Sequence, residues 1–316
     1  MSALSKLAKD EMKAEISSLS RLIESLRPSD LLTRLSLEAK QQHLSKSLAD
    51  LGEAMESATA SVALFFGGRP VIGSKAIDSR FGTAAVNAFQ DLVAKIQTQD
   101  NGGLGRRGPV ANLAASSLHI TDVARGSFGF ILEEMVDQTT IIESPLKGAV
   151  DAAGDLLQSF AQDSDEKFEE DVSAFDERVL MAAGNFLGTL KSFGATARVV
   201  ANDAEFRLTG EAVERAAARA RTTKILEDEI SMKGALTGTL PESHMFEFRA
   251  DDENLRTFRG KVDKAIDAET LARLNRELSG LPAIGHFLRK RVLKEGELVR
   301  TAHVLLKVEP IYPAQF

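Results

Sequence analysis

The chain has 316 residues, and its 39 Lys and Arg against 46 Asp and Glu give a formal net charge of −7. An acidic chain is a poor candidate for general nucleic-acid binding, which depends on neutralising phosphates. The absence of cysteine excludes disulfides, thiolate nucleophiles and cysteine-ligated metal sites, and the length predicts two or three domains.

The first 60 residues predict two amphipathic helices around a short break at residues 28–30. Residues 3–26 carry apolar side chains at three- and four-residue steps, which is the period of a helix. A second helix reaches about residue 55, and its stripe is close to a coiled-coil heptad: Leu37, Leu44, Leu48, Leu51 and Met55. A helical hairpin or an extended oligomerisation arm is expected. Its apolar stripe needs a partner surface, which is either the rest of this chain or another subunit. That subunit is either a second copy of this chain, giving a homo-oligomer, or a different protein.

The next segment, residues 61–143, predicts a hairpin, a helix and a second hairpin. Val62, Leu64 and Phe66 alternate before Gly67-Gly68, so residues 70–72 are expected to return as a second strand. A helix capped by Asp78 follows, and a second pair of short strands flanks a turn at residues 125–126. This order indicates an antiparallel sheet with a helix on one face.

Residues 144–224 are mainly helical in this interpretation. Ser144-Pro145 is a typical helix start, and a longer helix is expected to begin near Asp165 and continue to about Leu190. A small hairpin around residues 202–203 and an Ala- and Arg-rich helix to about Thr223 complete the segment.

The last segment predicts five strands. Residues 225–238, 244–249 and 256–262 form the first three, a helix capped by Asp267 follows, and residues 284–293 and 298–308 form the last two. Three strands, a helix and two strands resemble the OB fold, a small five-stranded barrel. An SH3-like barrel is the near alternative.

The fold class is therefore α+β, with three predicted domains. Residues 1–60 form the helical arm, 61–224 an α+β core, and 225–316 an OB-like barrel. The N-terminus has no apolar signal region, and no stretch approaches the length of a membrane span, so a cytoplasmic location without membrane contact is expected.

No catalytic or cofactor-binding motif has the spacing and the flanking elements that its chemistry requires. Residues 68–75 miss the P-loop spacing by one residue, and the GxGxxG at 103–108 follows a helix instead of a strand. The five histidines show neither HxH nor HExxH spacing, and no carboxylate pair stands out. We therefore expect no catalytic residue, no metal site and no cofactor, although the sequence leaves catalysis undecided.

Two groups of residues are candidates for partner or nucleic-acid contact. Phe246, Phe248 and Phe258 could stack bases, but alternating phenylalanines are also what a small barrel core needs, and core packing is the favoured interpretation. The basic candidates are the loop residues Arg106 and Arg107, and on the barrel Arg249, Arg256, Arg259, Arg289, Lys290 and Arg291.

The leading hypothesis is a non-catalytic accessory or scaffold subunit of a bacterial-type cytosolic assembly. An antiviral-defence setting is one hypothesis for such an assembly, although no residue argues for it. A single-strand nucleic-acid-binding barrel and a metal-dependent nuclease or hydrolase with scattered carboxylates are the alternatives.

Overall fold

The structure, a computed structural model, describes residues 3–27, 30–53, 58–100, 116–124, 128–135, 143–201, 204–251 and 257–311. The chain divides into two compact units. Unit 1 comprises Met1–Val93, Leu113–Asp155 and Thr189–Val213, and unit 2 comprises Ala94–Asn112, Leu156–Gly188 and Glu214–Phe316. The predicted division into three domains stays a prediction.

Helices and strands are mixed along the chain. The first elements are α1 (Ala3–Ser25), α2 (Leu31–Glu53), β1 (Ser61–Gly68), β2 (Val71–Ile72), β3 (Ala76–Ile77), α3 (Ser79–Asp100), β4 (Leu118–Ala124), β5 (Phe128–Glu134) and α4 (Pro145–Ala161). Next come α5 (Asp165–Val172), α6 (Glu177–Phe193), β6 (Ala195–Ala201), β7 (Ala204–Leu208) and α7 (Gly210–Thr222). The last are β8 (Thr223–Leu240), β9 (Met245–Ala250), β10 (Phe258–Val262), α8 (Ala268–Leu278), β11 (Pro282–Lys294) and β12 (Glu297–Pro310).

Helices α1 and α2 pack against each other, which is the hairpin of the two expected arrangements. Gln41 Nε2 donates a hydrogen bond to Ser20 Oγ at 2.8 Å, and Lys40 Nζ lies 2.6 Å from Glu15 Oε1. The predicted sequence of helix, break and helix is confirmed.

Unit 1 contains an antiparallel sheet with the strand order β4-β5-β1-β6-β7. Its central strand β1 is buried on both faces, because Val62, Leu64 and Phe66 point one way while Ala63 and Phe65 point the other. The Phe66 ring meets Phe81 of α3 edge-on at 5.1 Å. This arrangement explains why β1 is apolar at every position from Val62 to Phe66 and does not alternate with polar residues there.

The second face of that sheet holds α1 in place. Leu7 packs on a cluster that includes Phe65 and Val200, and Lys6 Nζ lies 3.7 Å from Glu205 on β7. Arg198 lies over the Phe65 ring and forms a bidentate pair with the same glutamate, which lowers the pKa of Glu205. The N-terminal part of α1 is therefore attached to the sheet by both apolar and charged contacts.

Two sequence-based predictions, one for residues 70–72 and one for residues 165–190, are wrong. Strand β2 pairs with β3 and not with β1, because both edges of β1 are taken by β5 and β6. The helix expected to run from Asp165 to Leu190 is two helices, α5 and α6. They are separated at residues 173–176, where the side-chain amide of Gln99 from α3 bonds the backbone of the break, donating to Ala174 O and accepting from Asp176 N.

Unit 2 contains a closed ring of five strands, β8, β9, β10, β12 and β11. Neighbours run antiparallel except β10 and β12, which are parallel. The five predicted strands and the intervening helix α8, with Asp267 accepting a bond from Thr270 N, are confirmed. The core of the ring is Leu236, Phe246, Phe248, Ala250, Val262, Leu271, Phe287 and Leu305.

The first strand of the ring, β8, pairs with β11 over its first part and with β9 over its second. The two pairings overlap at Gly234 and Ala235. A Cβ on Gly234 would clash with the backbone oxygen of Arg249, so only glycine allows the close approach at this position. Strand β8 therefore changes partner at Gly234.

Candidate interaction surfaces

The end of the α1–α2 hairpin exposes four leucines, which we call the hairpin end. Leu22 lies in the last turns of α1, while Leu31, Leu32 and Leu35 lie in the first turns of α2. Their exposed fractions are 50, 64, 85 and 60 %. Leu32 and Leu35 are three residues apart, and Leu31 and Leu35 four, so these three side chains share one side of α2.

Sequence inspection missed these leucines because it followed the stripe that begins at Leu37. Leu35 precedes Leu37 by two positions and Leu32 precedes it by five, which places both on the other side of the helix. The missed signal was leucine at positions where an amphipathic helix normally carries polar residues. Since Leu7 is held on the sheet and Leu22 follows 15 residues later, the hairpin end lies about 22 Å along α1 from that attachment.

A second candidate surface is the basic strip, which consists of Lys224, Arg289 and Arg291. It lies where β8, β11 and β12 run side by side. Residues paired across β8, β11 and β12 form three rows. Named in that order of strands, the rows are Asp228–Arg289–His303, Leu226–Arg291–Thr301 and Lys224–Leu293–Leu298. Alternate residues of a strand share a face, so the strip lies on one side of the three strands together with partly exposed leucines.

Asp228 neutralises part of the basic strip. Arg289 bonds it through Nε at 3.2 Å and Nη2 at 2.5 Å, and this hydrogen bonding raises the pKa of Arg289. Arg291 Nη2 lies 3.5 Å from the same carboxylate, while its buried Nε has no acceptor among the described residues. Asp228 thus holds Arg289 by two hydrogen bonds and Arg291 only by a longer ion pair.

His303 lies beside the strip and closes the core of the ring. It is 7 % exposed, and its ring centroid lies 4.5 Å from that of Phe258. Burial lowers the pKa of His303, Arg289 lowers it further, and Asp228 opposes the shift. The neutral imidazole is therefore the form that this environment favours.

Stability should respond to the titration of His303. Because its folded-state pKa is below the unfolded value, the unfolded chain binds more protons between the two, and unfolding becomes harder as pH rises through that window. We expect the free energy of unfolding of the wild type to increase as pH rises towards the ordinary histidine pKa of about 6.5, and by more than that of His303→Gln. Denaturant titrations at several pH values measure this difference, and parallel pH profiles would contradict the assignment.

Lys290 was predicted as a contact residue, and the structure corrects this. Its side chain points to the opposite face from Arg289 and Arg291 and is 4 % exposed. Lys290 Nζ lies 2.5 Å from Asp176 Oδ1 and 3.4 Å from Glu227 Oε1, and it donates to Phe175 O at 3.2 Å. It is an internal ion-pair partner within unit 2, inaccessible to another molecule.

The other predicted basic residues are scattered. Arg249 is exposed on β9, and Arg259 on β10 pairs with Glu247 at 2.5 Å. Arg106, Arg107 and Arg256 lie outside the described residues. Of the eight candidates, the structure brings Arg289 and Arg291 together and adds Lys224, which sequence inspection had not selected.

The aromatic candidates are part of the core. Phe246 and Phe248 are 2 and 0 % exposed, and both pack on Phe287, with centroid distances of 5.3 and 5.1 Å. Phe258 is partly buried against the same rings. The favoured interpretation of these phenylalanines as core residues agrees with their burial, and base stacking on the first two would require the ring to open.

Within the described ranges, no three His, Asp or Glu side chains are arranged to hold a metal ion. His244 contacts Ile266 O at 2.9 Å, and His286 contacts Ser231 Oγ at 2.8 Å. Glu134, at the end of β5, accepts hydrogen bonds from Ala60 N and Ser144 Oγ. These polar groups have structural partners.

No protein-family model, curated protein or solved structure matches this chain. None of the helices in the described part of the chain combines the length and the apolar character that crossing a bilayer requires.

Proposed function

We propose that this protein is a non-catalytic interaction subunit of a multiprotein assembly, and that the hairpin end is its binding element. The observation that carries the proposal is the exposure of Leu22, Leu31, Leu32 and Leu35 together. Contiguous apolar side chains on a polar helical hairpin are typical of a surface that a partner covers. Helix-in-groove and helix-to-helix recognition both use such leucines as anchors.

The free energy expected from burying the four leucines is consistent with this role. Fully burying one leucine contributes about 1.5–3 kcal/mol, so four partly exposed leucines would contribute on the order of 4–8 kcal/mol. Association costs at least about 4 kcal/mol in lost freedom of motion. The leucines can therefore anchor a complex, while polar contacts around them have to supply the rest of the affinity.

Affinity capture with the full chain as bait tests the proposal. Leu32→Glu with Leu35→Glu should remove the bound partner, because two carboxylates would be buried against apolar groups. Leu240→Glu with Leu281→Glu is the matched control, since these leucines are 63 and 52 % exposed elsewhere in the chain. Equal capture by all three proteins would contradict the proposal.

We also infer that the closed ring of unit 2 is an OB-like barrel. Two observations support this: α8 lies between the third and fourth strands, and the third strand pairs in parallel with the fifth. An OB barrel is a five-stranded Greek-key barrel that often binds oligonucleotides. The SH3-like alternative is less consistent with the position of α8.

Single-strand nucleic-acid binding is the second candidate function, and the partial exposure of the neighbouring Arg289 and Arg291 side chains, 35 and 37 %, favours it. The basic strip could contact phosphates, while Leu226 and Leu298, 46 and 58 % exposed, lie beside it. Asp228 and the net charge of −7 weaken such binding.

Arg289→Glu with Arg291→Glu should abolish any salt-dependent binding of single-stranded oligonucleotides, measured by fluorescence anisotropy. Arg249→Glu with Arg259→Glu changes the charge equally at exposed positions outside the strip and is the control. If the oligonucleotide binds both variants as it binds the wild type, the basic strip is not a nucleic-acid site.

A further inference from the structure

The charged residues around the hairpin end alternate in sign along the chain. From the end of α1 into α2 they are Arg21, Glu24, Arg27, Asp30, Arg34 and Glu38. Three positive and three negative charges give this end a formal net charge of zero. The four exposed leucines therefore lie among balanced charges, not inside a field of one sign.

The balance of charge distinguishes between classes of partner. An anionic membrane surface or a nucleic acid selects clusters of Lys and Arg, and a strongly charged protein partner selects the opposite sign. A two-fold contact between identical chains has a different requirement: each surface must complement itself, so that a residue i meets j while j meets i. Alternating charges around a leucine patch meet that requirement.

We propose that the partner of the hairpin end is the hairpin end of a second copy of this chain. The inference rests on the proposed function and names its partner. In the two-fold contact, Leu31, Leu32 and Leu35 of each chain bury one another. Arginines of one hairpin end face the acidic residues of the other.

Sedimentation velocity of the full chain across the micromolar range tests this contact. The wild type should shift from monomer to dimer as concentration rises, and Leu32→Glu with Leu35→Glu should stay monomeric. Leu240→Glu with Leu281→Glu should dimerise as the wild type does. A wild type that remains monomeric throughout, or a Leu32/Leu35 variant that dimerises normally, overturns the proposal.

A charge-swap experiment identifies the contact more directly. One variant carries Arg21→Glu and Arg34→Glu, and the other carries Glu24→Lys and Glu38→Lys. Each alone should dimerise about tenfold or more weakly than the wild type because like charges meet. An equimolar mixture should recover dimers that contain one copy of each. This recovery does not depend on how well the leucine variant folds, and its absence overturns the two-fold contact.

The remaining outcomes separate this inference from the proposed function. If the wild type is monomeric but captures a different protein that the Leu32/Leu35 variant loses, the self-contact is overturned and the interaction function stands. If the monomeric wild type instead binds phosphatidylserine vesicles through the same leucines, both are overturned.

Discussion

Lys290→Met is expected to lower the free energy of unfolding by about 3 kcal/mol or more. Lys290 Nζ lies between Asp176 and Glu227, whose side chains are each 17 % exposed. Removing the ammonium leaves two carboxylates close together with little access to water, and that loss exceeds what a methionine gains by packing. Denaturant unfolding measures the change.

Lys307→Met is the control for this substitution, since Lys307 pairs with Glu309 at 2.5 Å but is 65 % exposed. An exposed pair contributes less than about 1 kcal/mol. The loss of unfolding free energy caused by Lys290→Met should also be smaller at acidic pH. Burial raises the pKa of Glu227, so protonation of this carboxyl stabilises the folded state as pH falls through that raised value. Equal stability losses for the two lysine variants would contradict a structural role for Lys290.

Phe287→Ala is expected to lower the free energy of unfolding by about 3–5 kcal/mol, because it leaves a cavity at the centre of the ring. Phe287 is fully buried and contacts three aromatic rings at centroid distances of 5.1–5.3 Å. Its ring fits over Gly285, where a Cβ would clash with it. Removing the ring therefore leaves a space beside Gly285, which has no side chain to occupy it.

Phe128→Ala is the matched control for Phe287. Phe128 is only partly buried on β5, where it contacts Phe130 at 5.5 Å, so its loss leaves a space that water can enter. We expect Phe128→Ala to lower the free energy of unfolding by less than Phe287→Ala does, as measured by denaturant unfolding. A Phe287→Ala protein as stable as Phe128→Ala would mean that the aromatic cluster does not hold the ring together.

The five strands of the closed ring and helix α8 were predictable because their signals are local. Alternating apolar residues, short polar turns and the Asp267 cap each act within a few residues. Strand β1 shows the opposite case. Its apolar residues predicted a strand, but the identity of its neighbours depends on β5 and β6, which lie far along the chain, so the expected hairpin with residues 70–72 was wrong.

The candidate surfaces also show that local sequence patterns do not determine which side chains are exposed. Arg289 and Arg291 could be listed from the sequence, and so could Lys290, one residue between them. A strand alternates its faces, so this neighbour points to Asp176 and is buried. The exposed leucines of the hairpin end required the structure, because exposure depends on what the rest of the chain covers.

By itself, the sequence determined the composition limits and the local elements: the absence of cysteine chemistry, the failed glycine motifs, the two N-terminal helices and the order of the last five strands. Only the tertiary structure decided which strands pair, which lysine is internal and which leucines remain exposed. The physical reason is that hydrogen-bond geometry and side-chain periodicity act over a few residues, whereas burial and charge pairing join residues distant in sequence.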